Sequence, residues 1–450
     1  MMCKDRSRRC ISLFASFLLV QFVLLRLANQ AGRGYLPLPR QEQVYLYIQF
    51  AVVAGYLGYG LFRCIPGSQR LLVPLLSASL ALCLTGGMVL LLSPPASLFY
   101  LIATAVSVAL LGFAGGWVYE QLAFSLYEHR HGGLCIGAGY ALAVAMQFCF
   151  QLQWNVRPVL ALLLTLSFGI LAAFLFRSPA LQSSPSQGQT GASPRYAFSV
   201  VITFALLLFT GFFNRFIHHL QIASGYSDYN VYSWPRLLMI PTVILFGYLG
   251  DFREGKYLSV STLCVSAVSL LNTALLGRDT YYLNMCLYYI ALTAVVAYYH
   301  LTFLPLAVHT GQPALWACMG RVIDSGAVIV SFGLRLPAQS QAVVLCINLA
   351  SLAAVIVLMG LSGALNLSSP PAQEAQAPAD PFPILQERFG ITPSELKVLR
   401  ELVTTDDKQE AIASRLGISV STLRHHITAL YRKTGTQTRL ALSNLVNAGK

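Results

Sequence analysis

The chain has 450 residues, 56% of them hydrophobic and only 10% charged, with a formal net charge of +13. Ordinary soluble domains are about 45–50% apolar and about 25% charged, so a conventional globule is excluded. The 11% of aromatic residues excludes a disordered chain as well. This is the composition of an integral membrane protein, long enough for about twelve spans of about 20 residues and one small soluble domain.

Lys4, Arg6, Arg8 and Arg9 precede the first apolar run. That order resembles a signal peptide, but the run is long and no small-x-small cleavage site follows it, so a retained first span is expected. Apolar runs able to cross the bilayer fall near 11–28, 44–62, 71–92, 97–118, 134–153, 158–176, 197–217, 236–250, 257–276, 281–304, 314–334 and 341–361. Basic residues favour the loops on the N-terminal side, which places both termini in the cytoplasm of a multi-pass inner-membrane protein. A Ser/Gln/Pro-rich connector near 177–196 separates two six-helix halves, 1–176 and 197–361. Gly55-Tyr-Leu-Gly58 and Gly247-Tyr-Leu-Gly250 stand at equivalent places in the two halves, as a duplicated unit would give.

Gly247-Tyr-Leu-Gly-Asp251-Phe-Arg253-Glu-Gly255-Lys256 resembles the Gly-x-x-x-Asp-Arg-x-Gly-Arg-Arg loop of the major facilitator superfamily. The first-half counterpart, Gly58 to Gly67, has lost the aspartate. The resemblance implies a transporter-like bundle of six plus six helices.

The ten cysteines form no C-x-x-C pair, so neither a zinc site nor a disulfide framework is suggested. No metal and no cofactor is expected. Gly86-Gly87 and Gly115-Gly116 suit close helix packing better than phosphate binding. No nucleophile triad appears either, and the chain is not read as an enzyme. Ionisable residues at membrane depth are costly and are candidates for function. Glu120, Asn214, Arg215, His218, Arg321 and Asp324 are the candidates for a ligand pocket. Arg321 and Asp324, three apart on one helical face, could equally neutralise each other.

Residues 362–390 form a proline-rich linker, with Pro370, Pro371, Pro378, Pro381 and Pro383. Beyond it, Thr392, Pro393 and Glu395 make a capping box at a helix start. A second helix near 409–416 stops at Gly417, and a third starts after Ser419. In the third, Leu423, Ile427 and Leu430 form one buried stripe. Ser421, Thr422, Arg424, His425, Thr428, Arg432 and Lys433 lie elsewhere on that helix, a pattern expected of a recognition helix in the major groove.

Ile391-Thr-Pro-Ser-Glu-Leu-Lys-Val-Leu399, Ala411-Ile-Ala-Ser-Arg-Leu416, Ser419-Val-Ser-Thr-Leu-Arg-His-His426 and Lys433-Thr-Gly435 resemble the LuxR-type helix-turn-helix of bacterial regulators. The resemblance implies that Arg424, His425 and Thr428 face bases and that Thr422 and Lys433 touch the DNA backbone. A last helix near 439–447 is either the family's dimerisation element, pairing two copies, or simple packing on the third helix.

The expected fold is therefore all-α: a twelve-helix, major-facilitator-like bundle over 1–361, then a small four-helix LuxR-type domain over 391–450. The expected function is a membrane-bound one-component transcription regulator. Its partners would be the lipid bilayer, an unknown small-molecule ligand and double-stranded promoter DNA. The alternative is a secondary transporter with an appended DNA-binding regulatory domain.

Overall fold

The computed structural model describes residues 2–30, 36–93, 97–127, 129–152, 157–177, 194–223, 233–252, 255–275, 279–334, 341–362, 382, 385–386, 389–404, 407, 409–436, 438–439, 441–442 and 445. The chain divides into two compact units, Met1–Leu367 and Ser368–Lys450.

The larger unit is all helical. In chain order it contains α1 (Met2–Gln30), α2 (Leu38–Arg63), α3 (Gln69–Leu92), α4 (Leu98–Leu126), α5 (Gly132–Leu152), α6 (Arg157–Arg177) and α7 (Pro194–Ala223). A 3₁₀ turn, Trp234–Leu238, leads into α8 (Met239–Asp251), followed by α9 (Lys256–Leu275), α10 (Tyr281–Val308), α11 (Pro313–Ala317), α12 (Met319–Gly333) and α13 (Gln341–Leu361). Each of the twelve predicted apolar runs falls on a helix, the eleventh on α11 and α12, which are interrupted at Cys318.

Among the described residues, eight helices are long and apolar enough to cross a membrane, and Ala197–Phe213 and Lys256–Leu270 are shorter apolar stretches. The unit is a multi-span membrane bundle. Leucines within its apolar helices are open on the outside, Leu82 by 57% and Leu162 by 59%, as side chains facing lipid should be.

The local reasons for the helix ends are ordinary ones. Pro37 precedes α2, with a second proline in its first turn, where the missing N–H costs nothing. Ser97 caps α4 by accepting the Tyr100 backbone N–H at 3.1 Å. Where α5 crosses α8 the backbones nearly touch. A Cβ on Gly137 would stand 2.6 Å from the Val243 carbonyl oxygen, and one on Gly247 would stand 3.0 Å from the Gly133 carbonyl carbon. Only glycine permits that approach.

The smaller unit contains α14 (Pro393–Thr404), α15 (Gln409–Leu416) and α16 (Val420–Thr434). The predicted capping box is formed: Thr392 N–H donates to Glu395 Oε2 at 2.7 Å, and Glu395 N–H donates to Thr392 Oγ1 at 3.3 Å. Gly417, with φ of +66°, ends α15, and Ser419 caps α16 through the Thr422 N–H at 3.1 Å. Leu423, Ile427 and Leu430 are buried with Ile391, Leu399 and Ile412 in one small core. Most of the linker and most of the predicted fourth helix lie outside the described residues.

Candidate functional site

Two ion pairs of the membrane unit, Arg63–Glu120 and Arg321–Asp324, lie where α2, α4, α10 and α12 meet. Along α2, Tyr56, Tyr59 and Arg63 recur at i, i+3 and i+7 and so share a face. Gly115 and Gly116 of α4 leave room for the Tyr56 and Tyr59 rings, which accounts for the paired glycines by packing. The next two residues but one, Tyr119 and Glu120, are both buried.

Glu120 is held entirely from α2. The Tyr59 hydroxyl donates to Oε2, while Arg63 donates to Oε1 through Nε at 3.2 Å and Nη2 at 3.0 Å. A buried carboxylate survives when it is paired and hydrogen-bonded in this way. Glu120 and Arg63 also border a cavity of about 570 Å³, shared with Ser68, Gln69 and Arg70 on one side and Gln312 on the other.

Arg321 and Asp324 form a second ion pair, on α12. Arg321 Nη1 also donates to the Tyr299 hydroxyl at 3.2 Å. Tyr299 stacks on His300 with ring centres 4.4 Å apart, and His300 in turn meets Tyr119 and Phe14, each at 5.4 Å. His300 Nδ1 lies 2.7 Å from the Val296 carbonyl and donates to it, so Nε2 accepts from the Tyr119 hydroxyl at 3.2 Å. Buried aromatic rings thus run from the Tyr299 partner of Arg321 to Tyr119, the residue before Glu120.

Of the candidate pocket residues, Arg321 and Asp324 pair with each other, and Glu120 pairs with Arg63. Arg215 joins neither pair. It donates to the Ser331 carbonyl at 3.0 Å, near the other end of α12, and lies 4.0 Å from Glu42. The side chains of Asn214 and His218 lie outside the described residues. Sequence reasoning missed Tyr56, Tyr59, Arg63, Tyr119, Tyr299 and His300. The Tyr298-Tyr299-His300 run inside an apolar span was the available signal.

In the smaller unit, Ser421, Thr422, Arg424, His425, Thr428 and Arg432 are exposed on α16. Several are engaged internally. Arg424 Nε donates to Gln409 Oε1 at 3.1 Å, the Thr428 hydroxyl donates to the Arg424 carbonyl at 3.0 Å, and Lys433 pairs with Glu395 at 2.6 Å.

No protein-family model matches the chain, and no curated protein matches it by sequence. Solved structures do match its fold. A bacterial homologue of the iron transporter ferroportin, in an outward-facing state with soaked iron, superposes with a TM-score of 0.54 and 13% identity, covering 81% of this chain and 99% of that one. The Escherichia coli fucose:proton symporter FucP gives 0.50 and 15% identity over 79% and 98% of the two chains. The human organic anion transporter MFSD10 gives 0.49 and 16% over 80% and 99%. The chain has a major-facilitator-like membrane transporter fold.

That finding corrects the reading of the chain as a membrane-bound transcription regulator with promoter DNA as its partner. About four fifths of the molecule shares the fold of a transporter homologue, and no family model supports a LuxR-type module. The physical reason for the error is plain. Capping boxes, a glycine stop and one apolar stripe specify a compact trihelical fold, and such a fold does not specify what binds it. The expectation that the chain is not an enzyme agrees with a fold shared with secondary transporters.

Proposed function

We propose that the protein is a secondary transporter whose membrane unit carries a small solute between two six-helix halves, with a soluble helical unit appended at its C-terminus. Twelve spans, arranged six plus six over 1–176 and 197–361, and two cytoplasmic termini belong to this reading. The observation that carries it is the fold, shared along 81% of the chain with a transporter that is itself covered almost completely.

Two features support the reading independently. Buried ionisable residues in membrane helices mark solute and ion paths, and here they lie between α2 and α4 on one side and α10 and α12 on the other. The interrupted helix at Cys318 is the second, since discontinuous helices recur at transporter binding sites.

The test is flux. The full chain, reconstituted in proteoliposomes, is loaded with solute panels of sugars, organic anions, organic cations and metal ions, and counterflow of each is measured. Protein-dependent exchange of one class, lost in Arg321→Gln, is the expected result. Exchange equal to empty liposomes for every class contradicts the proposal.

A further inference from the structure

Arg321 has more donor capacity than the fold uses. Its hydrogen bonds to Tyr299 and to Asp324 leave from Nη1, and Tyr56 is hydrogen-bonded to the same guanidinium. Its Nε is buried and has no partner. A buried, unmatched N–H on a guanidinium is costly and needs an explanation. The edge carrying Nε is also the edge that grips a carboxylate or phosphate side-on with two parallel bonds.

The surroundings say what else the ligand must offer. The Tyr299 hydroxyl accepts from the guanidinium, and the Tyr299 ring leads on to those of His300 and Tyr119. Tyr140 of α5 feels the charges of Arg321 and Asp324, and also that of Arg236 from the 3₁₀ turn. The Arg236 guanidinium lies 5.5 Å above the Phe22 ring, which meets Tyr140 at 5.7 Å. On the same helices as Phe22 and Tyr140, the buried amide oxygens of Gln21 and Gln147 also lack partners. Aromatic rings thus stand beside each of the two arginines, with unmatched polar atoms on the helices of Phe22 and Tyr140.

We propose that this region is the solute site and that it takes an organic anion carrying a planar or aromatic group, with the anionic group on the Nε edge of Arg321. The inference rests on the transporter reading and adds the class of solute to it. The ring stacks among the tyrosines, and Asp324 is the internal carboxylate with which the ligand competes. The charged and titratable groups facing Arg321 are Asp324 on its own helix, Tyr299 and His300 from α10, Tyr56 from α2, Tyr119 from α4 and Tyr140 from α5.

The experiment uses the purified full chain in nanodiscs and follows intrinsic fluorescence while benzoate, benzamide or acetate is added. Benzoate is expected to bind about tenfold or more tightly than benzamide, which has the ring without the charge, and than acetate, which has the charge without the ring. Arg321→Gln should weaken benzoate binding by about tenfold or more, Arg321→Lys by less, and Asp324→Asn should strengthen it. Size-exclusion behaviour and the unfolding midpoint show whether each variant is folded, and benzamide binding provides a second measure of intact aromatic surroundings.

Benzoate and benzamide binding alike, benzoate failing to bind at millimolar concentration, or a folded Arg321→Gln retaining benzoate affinity would each overturn the proposal. Failure here differs from failure of the transporter reading. A chain that exchanges a sugar or a cation but ignores benzoate loses only the solute class. A chain that binds benzoate and exchanges nothing loses only the transport.

Discussion

Asp251, the last residue of α8, accepts the backbone N–H groups of Gly133 at 2.6 Å and Leu134 at 2.8 Å, the second and third residues of α5. One carboxylate therefore joins the end of a second-half helix to the start of a first-half helix. The same aspartate suggested the major facilitator fold in the sequence, and the structure shows what it holds. Two donors that a helix start leaves unmatched are satisfied, and the charge faces the positive end of the helix dipole.

Replacing that carboxylate should loosen the junction. Asp251→Ala is expected to cost about 1–2 kcal/mol, since it removes both acceptors and the charge. Asp251→Asn keeps one acceptor and should cost less. Thermal unfolding of the full chain in detergent checks the order, wild type above Asn above Ala. Identical midpoints for the three would show that the contact adds nothing.

The Arg63–Glu120 pair makes a sharper prediction because both partners are buried, with side-chain exposures of 9% and 1%. Removing one partner strands the other charge. Arg63→Met or Glu120→Gln alone should destabilise the chain by about 3–5 kcal/mol. The double variant Arg63→Met with Glu120→Gln removes both charges and should recover most of that loss. Denaturant titration of the four proteins provides the cycle, and additive losses in the double variant would refute the pairing argument.

How much of this was legible beforehand depends on sequence distance. Thr392 and Glu395 are three residues apart, and their capping box was read directly from local geometry. Arg321 and Asp324 are also three apart, and their mutual neutralisation was one of two readings open in the sequence. Glu120 could be singled out because a carboxylate at membrane depth is rare. Its partners could not, since Tyr59 and Arg63 stand 61 and 57 positions away, and hydrophobic periodicity carries no information about which helices meet. The opposite failure occurred at α16. There the local pattern was read correctly as helices and then extended to a DNA partner, a step that local pattern cannot support.

The close crossing of α5 and α8 predicts intolerance of small additions. Gly137→Ala adds one methyl group that would stand 2.6 Å from the Val243 carbonyl oxygen, and backbone atoms cannot rotate away. Overpacking of this kind costs about 1–3 kcal/mol. Gly58→Ala, on α2, has nothing within 4 Å of the new carbon and should leave the unfolding midpoint unchanged or slightly raised. The comparison in one detergent isolates the crossing. Equal midpoints for both variants would mean that the two helices are free to separate.

In the smaller unit the acid response should trace to Glu395. Burial alone would raise its carboxyl, but the Lys433 ammonium at 2.6 Å and the Thr392 N–H at 2.7 Å more than offset that and bring it down from 4.5 to about 2. A carboxyl lowered on folding stabilises the folded form above its unfolded value, and that contribution disappears as pH falls through the folded value. The window is therefore from about pH 4.5 down to about pH 2. Lys433 also donates to the Gly390 carbonyl at 2.9 Å, so protonating Glu395 loosens the start of α14 and its tie to α16 together. Hydrogen exchange of residues 393–434 in the full chain should accelerate across that window. Glu395→Gln should cost about 1–2 kcal/mol at neutral pH and flatten the acid dependence, because the glutamine cannot titrate. An acid dependence that survives unchanged in Glu395→Gln would assign it to another carboxyl, with Glu401 and Asp407, both paired with the exposed Arg415, as the next groups to replace.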